Sequence, residues 1–315
     1  MAPIRFGLIL MPTFSQLGLY SVTEPMRAAN SFRPLSMEWQ LLSQDGCPVQ
    51  ASSGDFVNVA GSLETAGDFD YVALFCGDDP LSQMHPDYGR YLRRCRLRGS
   101  RIGAFDVAQF LMAEMGFLDH KRATVHWEYG DAFRERYTRV DVQTTLFERQ
   151  GDIFTCAGGT AGLDFILELV GENFGGDLAR QIASRFLIKE FRTSEERQAL
   201  DVKHRYGTHD VRLISALHLM ESHLEDPLSI AEIARRADTS QRTLERAFHR
   251  LFGMAPATHY LRLRLIRAQR LLQQSDMPIT EIAVICGFAS LTQFGRTYRK
   301  HMSETPSAAR AAAHV

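Results

Sequence analysis

The sequence predicts an α/β domain, a parallel sheet flanked by helices, followed by an all-α domain with two helix-turn-helix motifs joined by a long helix. Three observations predict it. Short apolar runs alternate with helical patterns through residue 190, the pattern of a parallel sheet covered on both faces. A polar, charged stretch follows at 191–209, and from 210 to 315 the pattern is helical. Charge divides at nearly the same place. Residues 1–204 carry 21 Lys and Arg against 27 Asp and Glu; residues 205–315 carry 15 against 10. The domains are read as 1–190 and 210–315, with 191–209 as linker. A length of 315 residues suits two domains. A composition of 45% apolar and 23% charged residues excludes a disordered chain.

Each element has a local reason. IRFGLILM at 4–11 is a buried strand that Pro12 ends. Helical spacing follows at 18–31, then an alternating strand at 37–43 and a turn at Asp45-Gly46. DYVALF at 70–75 is a further strand. Residues 86–98 are a helix whose basic face (Arg90, Arg93, Arg94, Arg96, Arg98) is expected in solvent. RIGAF at 101–105 is a strand, 107–116 a helix, 139–147 and 152–156 strands, and 160–173 a helix. In such sheets ligands sit outside the carboxyl ends of the strands, here the loops 12–18, 76–80, 106–107 and 156–160. The opening residues lack a cleavage pattern, and no run of about 18 apolar residues occurs, so neither export nor a membrane span is expected. Five scattered Cys without metal-ligand spacing fit free thiols in a reducing cytoplasm and no metal site.

Asp106 alone separates a buried strand from a helix, so it sits in a sharp turn at the sheet edge. It either caps its helix or fixes a cationic group. Phe14, Phe105 and Trp127 either face an ammonium or belong to the core. His126 is read as binding or structural, and Glu24 as a pocket residue or a solvated charge. Helix N-termini and loop amides nearby favour a carboxylate. A zwitterionic amine or amino-acid-like effector suits this set. The candidate ligand residues are Phe14, Ser15, Glu24, Gly77, Asp106, Val107, His126, Trp127, Cys156 and Gly158. Cys76 and Cys156 are also read as small packing residues. No catalytic residue and no cofactor is assigned.

In the second domain, 211–224 is an amphipathic helix. Within LSIAEIARRADTSQRTLERAFHRLFG, Ser229 and Glu232 form a capping-box pattern. Ser240 caps a helix over 241–251 with Leu244, Phe248 and Leu251 inward. A second copy begins at Pro278, turns at Gly287 and restarts at Ser290, with Phe294 and Tyr298 inward. The helix at 256–274 spaces the copies about one DNA turn apart, near 34 Å. A recognition helix needs a short turn, an apolar inner stripe and polar or basic outer residues. The candidate contacts to double-stranded DNA are Ser240, Gln241, Arg242, Glu245, Arg246, Arg250, Ser290, Thr292, Gln293, Arg296, Arg299 and Lys300.

Two resemblances carry these readings further. LILMPTFS, FCGDD, IGAFDVAQFLMAEMGFLDHKRATVHWEY and CAGGTAGLDFILELV resemble the DJ-1/PfpI branch of the class I glutamine-amidotransferase-like fold, a flavodoxin-like sheet. That resemblance implies a catalytic Cys at the elbow and a nearby Glu, where this chain has Asp106 and Gly18. Without a thiolate, a DJ-1-like hydrolase or lyase reading weakens. IAVICGFASLTQFGRTYRKH and TPSAAR resemble the AraC/XylS DNA-binding domain. SVTEPMRAAN and the elbow residue Asp106 resemble a subgroup of such two-domain regulators that responds to arginine, glycine betaine or carnitine. The resemblance implies an effector-controlled activator of transcription, a homodimer working with RNA polymerase. A constitutive regulator whose first domain only dimerises is the remaining alternative.

Overall fold

The computed structural model describes residues 2–77, 79–198 and 205–313. Asp78 of the expected site loop and residues 199–204 of the expected linker lie outside the described residues. The chain divides into two compact units, Met1–Ala199 and Leu200–Val315.

The first unit runs β1 (Ile4–Leu10), α1 (Gln16–Phe32), β2 (Met37–Ser43), β3 (Val49–Gln50), β4 (Phe56–Val57), β5 (Gly61–Ser62), β6 (Tyr71–Cys76) and α2 (Pro86–Leu97). It continues with β7 (Arg101–Asp106), α3 (Gln109–Glu114), β8 (Arg122–Thr124), α4 (Gly130–Arg136), β9 (Asp141–Gln143), β10 (Phe147–Gln150), β11 (Ile153–Cys156), α5 (Ala161–Phe174) and α6 (Gly176–Arg185). Among the described residues the main sheet has seven strands in the order β10-β11-β7-β6-β1-β2-β5. All its pairings are parallel except β10 with β11. Central strands are buried on both faces, which is why β1, β6 and β7 read as continuous apolar runs. One core cluster joins α1 and α5 to the sheet. There Phe105 stacks on Phe75 at 4.7 Å and meets Phe165 edge-on at 5.8 Å.

Two expectations change. The strand expected at 139–147 is two strands. β9 pairs with β8 in a separate ribbon, and β10 joins the main sheet. The break falls at Thr144–Leu146, whose backbone groups bond instead to residues 196–198. The helix expected at 107–116 is only Gln109–Glu114, because the chain leaves Asp106 through a tight turn. The basic face of α2 is exposed, as expected, and it carries surface ion pairs. Arg90, Arg96 and Arg98 meet Asp87, Asp152 and Asp68, and Arg94 donates to the Leu63 carbonyl at 2.9 Å.

Residues 192–198 pack on the first unit. The Arg192 side chain bonds Asp164 at 2.6 Å, and the Leu146 amide donates to the Glu196 carbonyl at 3.0 Å.

The second unit contains α7 (Val211–Ser222), α8 (Ile230–Arg236), α9 (Gln241–Phe252), α10 (Pro256–Gln274), α11 (Ile279–Ile285), α12 (Leu291–Met302) and α13 (Pro306–Ala313). Leu213, Leu217, Met220, Ile233, Leu244 and Phe248 form one core. Leu265, Leu272, Ile282, Phe294 and Tyr298 are buried around the second motif. The repeat extends past the motifs themselves. At a spacing of 50 residues, Ser240 and Ser290 cap α9 and α12, and Gly253 and Ser303 end them in the left-handed conformation. Pro256 and Pro306 then open the next helices.

Candidate functional site

Asp106 is the last residue of β7, with φ of 66°. Asp and Asn tolerate this left-handed region better than most residues, which explains the residue type. Asp106 does not cap α3; Ala108 occupies that position and makes no side-chain cap bond. The elbow is therefore a strand end, not an ordinary helix start.

Several segments converge on it. Cys76 lies opposite Asp106 in the β6–β7 register. The His126 amide donates to the Asp106 carbonyl at 3.0 Å. Gly158, with φ of 84°, approaches so closely that a Cβ would lie 2.8 Å from the Asp106 Cα. No larger residue fits there. Gly77 presses in the same way on Thr13, which itself has φ of 61°. Thus the loops after β1 and β6 touch each other, and those after β8 and β11 touch Asp106.

The expected ligand residues divide accordingly. Asp106, His126 and Gly158 come together, and Gly77 closes the neighbouring loop pair. His126 is partly exposed, and its Nδ1 accepts from the Glu128 amide at 3.5 Å. Trp127 is 46% exposed, with its ring 6.0 Å from that of His126. Val107 is buried. Phe14 is fully buried and belongs to the core, as does Phe105; neither ring is open to an ammonium group. Ser15 is the N-cap of α1, its hydroxyl accepting from the Gly18 amide at 3.1 Å. Glu24 pairs with Arg27 on α1, 2.6 Å away.

Cys156 is fully buried at the end of β11, and burial pushes its thiol well above the usual range. Burial thus favours the neutral thiol, the weaker nucleophile. Gln109 is the residue that sequence reasoning missed. Its amide bonds the Ala104 and Cys156 carbonyls at 3.2 and 2.7 Å, tying the elbow helix to β11. A lone Gln among VAxFLMA was the available signal, since a buried amide must find partners.

On α9, Gln241, Arg242, Arg246 and Arg250 are exposed, while Leu244 and Phe248 are buried. Gln241 donates to Glu245 at 2.9 Å. On α12, Thr292, Gln293, Arg296, Arg299 and Lys300 are exposed over buried Phe294 and Tyr298. Ser240 and Ser290 accept from the amides three residues on, at 3.1 and 3.2 Å. Each hydroxyl accepts there as a cap and still carries an O–H to donate. The capping box at Ser229 is only half formed. Ser229 accepts from the Glu232 amide, but the Glu232 carboxylate turns to Arg235 and Arg236, which pull it down to about 2.

Not every arginine of this unit faces outward. Arg264 on α10 donates to the Cys286 and Gly287 carbonyls at 2.7 and 2.5 Å, and its guanidinium lies 4.3 Å from the Phe288 ring centroid. Arg267 reaches the Ile285 carbonyl at 2.8 Å, and Arg310 the Met277 carbonyl at 2.5 Å. These side chains satisfy the C-terminal carbonyls of α11 and the loop before it.

Comparison with known proteins adds to this geometry. Residues 8–172 match the DJ-1/PfpI family, and residues 233–312 match a helix-turn-helix domain. The chain is 39% identical over 306 residues to the HTH-type transcriptional regulator CdhR of Pseudomonas aeruginosa, covering 97% of this chain and 91% of that protein. It is 34% identical over 312 residues to the HTH-type transcriptional regulator GlxA of Rhizobium meliloti, covering 97% and 95%. A solved AraC family transcriptional regulator from Pseudomonas putida aligns with a TM-score of 0.54 at 23% identity, over 58% of this chain and all of that one. At that identity it speaks for the fold alone.

Proposed function

Since this chain belongs to the HTH-type transcriptional regulators that join a DJ-1/PfpI domain to an AraC-type DNA-binding domain, we propose that a small zwitterionic amine bound at the Asp106 elbow controls its activity. The carrying observation is Asp106 itself, a carboxylate held in a left-handed elbow with Gly158 against its backbone. Asp106 would take the ammonium group, and loop amides the carboxylate. Trp127 is the aromatic surface that remains exposed beside it. The buried Cys156 thiol supports a binding role without catalysis.

The regulator acts on promoter half-sites through α9 and α12, as an activator working with RNA polymerase. The first unit carries the dimer contact, and the protein resides in the cytoplasm. No described helix is long and apolar enough to cross a membrane, which accords with that location. Effector binding shifts an ensemble, so the effector must bind the DNA-competent arrangement more tightly than the other.

The test is a thermal-shift panel on the full chain with L-arginine, glycine betaine and carnitine. A ligand at 100 times its Kd stabilises by about 2.7 kcal/mol. The expected result is a hit that Asp106→Asn abolishes while the unliganded melting temperature holds. A hit that survives in Asp106→Asn moves the site elsewhere. Silence across the panel favours a first unit that only dimerises.

A further inference from the structure

Residues 192–198 are the last described stretch of the first unit before the chain passes to the second. They carry two polar anchors, and both land on segments that touch Asp106. The first anchor is Gln198. Its Nε2 lies 2.6 Å from Thr124 Oγ1, 2.9 Å from the Val125 carbonyl and 2.9 Å from the Thr145 carbonyl. The next residue after Val125 is His126, whose amide bonds the Asp106 carbonyl at 3.0 Å. The second anchor is Arg192. It bonds Asp164 through its backbone amide and its guanidinium, at 2.8 and 2.6 Å, and Thr160 Oγ1 at 2.9 Å. Thr160 ends the loop in which Gly158 meets Asp106.

The anchors differ in how firmly they hold. The Asp164 side chain is 5% exposed and paired, so removing its partner would strand a buried charge. Gln198 is looser. Its Oε1 is buried without a hydrogen-bond partner among the described residues, while one NH2 group serves three oxygens. An amide left half-satisfied in a buried setting is held less firmly, so this anchor is the one a small displacement releases.

We propose that residues 192–198 are a coupling strap: the Gln198 and Arg192 anchors tie the two segments flanking Asp106 to the chain leading into the DNA-binding unit. Occupation of the elbow moves the His126 segment or the 158–160 loop, and either motion changes the hold on the strap. The strap in turn biases the effector site, because coupling between sites is reciprocal. The inference deepens the effector reading and rests on it for the ligand, but the mechanical link is testable without one.

The experiment is hydrogen exchange of the full chain read by mass spectrometry. Gln198→Ala is expected to speed exchange at His126 and, across the elbow, at Ala161, whose amide bonds the Gly158 carbonyl. Gly158→Ala, whose Cβ would lie 2.8 Å from the Asp106 Cα, is expected to speed exchange at Leu146 and Gln198, whose amides donate to the Glu196 and Thr144 carbonyls respectively. Changes of tenfold or more support the link. Exchange at Ala161 in Gln198→Ala, and at Leu146 and Gln198 in Gly158→Ala, within twofold of the native chain overturns it. L-arginine and glycine betaine are then added separately at tens of millimolar. Slower exchange of the strap with a probe that also raises the melting temperature joins the effector to the strap. If neither probe binds while the substitutions communicate, the effector reading fails and the coupling stands.

Discussion

Asp106 and Gly287 both sit at left-handed positions, with φ of 66° and 74°, yet they differ in what a substitution would meet. Asp106 is an L-residue already accommodated there. Asp106→Asn keeps its shape, so it tests charge and not folding. Gly287 is constrained twice. A Cβ there would lie 2.5 Å from Pro227 Cγ and 2.6 Å from the Leu224 carbonyl oxygen. Backbone and a proline ring cannot move aside as a flexible side chain can. Gly287→Ala is therefore expected to destabilise the second unit by about 2–4 kcal/mol, read as a lower urea midpoint. A midpoint unchanged within error would show that the turn reorganises freely. Asp238 holds the equivalent turn in the first motif with φ of 52°, where Gly has no such role.

At the level of elements, the arginines of the second unit fall into two groups that composition cannot separate. Arg246 and Arg296 project from equivalent positions on α9 and α12 and are exposed. Arg264 is spent on the end of α11. Arg246→Ala and Arg296→Ala are expected to weaken DNA binding by about 1–3 kcal/mol each if they contact base edges, with thermal stability unchanged. Arg264→Ala removes two charge-assisted bonds to carbonyls and a contact with Phe288. It is expected to lower stability by about 2–3 kcal/mol and to lose DNA binding only as a consequence. Measuring melting temperature and DNA affinity on the same samples separates the groups. Equal stability of Arg264→Ala and the native chain would refute its structural role. Equivalent positions arise because Ser240 and Ser290 start both helices in the same phase.

For the whole molecule, one buried histidine sets an expected pH dependence. His259 on α10 is buried among Tyr206, Phe248 and Phe252, with Nε2 unpartnered among the described residues. Burial, with a smaller contribution from Arg262, depresses its ionisation from 6.5 to about 4. Between those values the unfolded chain binds a proton that the folded unit refuses. Stability therefore rises with pH across this window and is lost as pH falls from about 6.5 towards 4. Urea unfolding of the second unit within the full chain is expected to show its midpoint falling from pH 7 to pH 5. His259→Phe should flatten that slope, and an equal slope in both chains would assign the acid sensitivity to other groups.

Local rules made much of this protein legible. Alternating apolar runs and helices specified the parallel sheet, since strands buried on both faces must be apolar throughout. Apolar stripes, capping serines and the turn glycine specified the two motifs, since short-range geometry dictates those residues. The single residue between strand and helix drew attention to Asp106 for the same reason. The tertiary structure decided what depends on residues distant in sequence. It buried Phe14 and Phe105, spent Ser15 on a cap, and paired Glu24 with Arg27. It split the 139–147 strand by drawing Thr144–Leu146 to residues 196–198, and turned Arg264, Arg267 and Arg310 inward onto carbonyls. Side-chain type fixes which bonds a residue is able to make. Which bond it makes depends on the partner that the fold brings within 3 Å, and a linear sequence does not carry that distance.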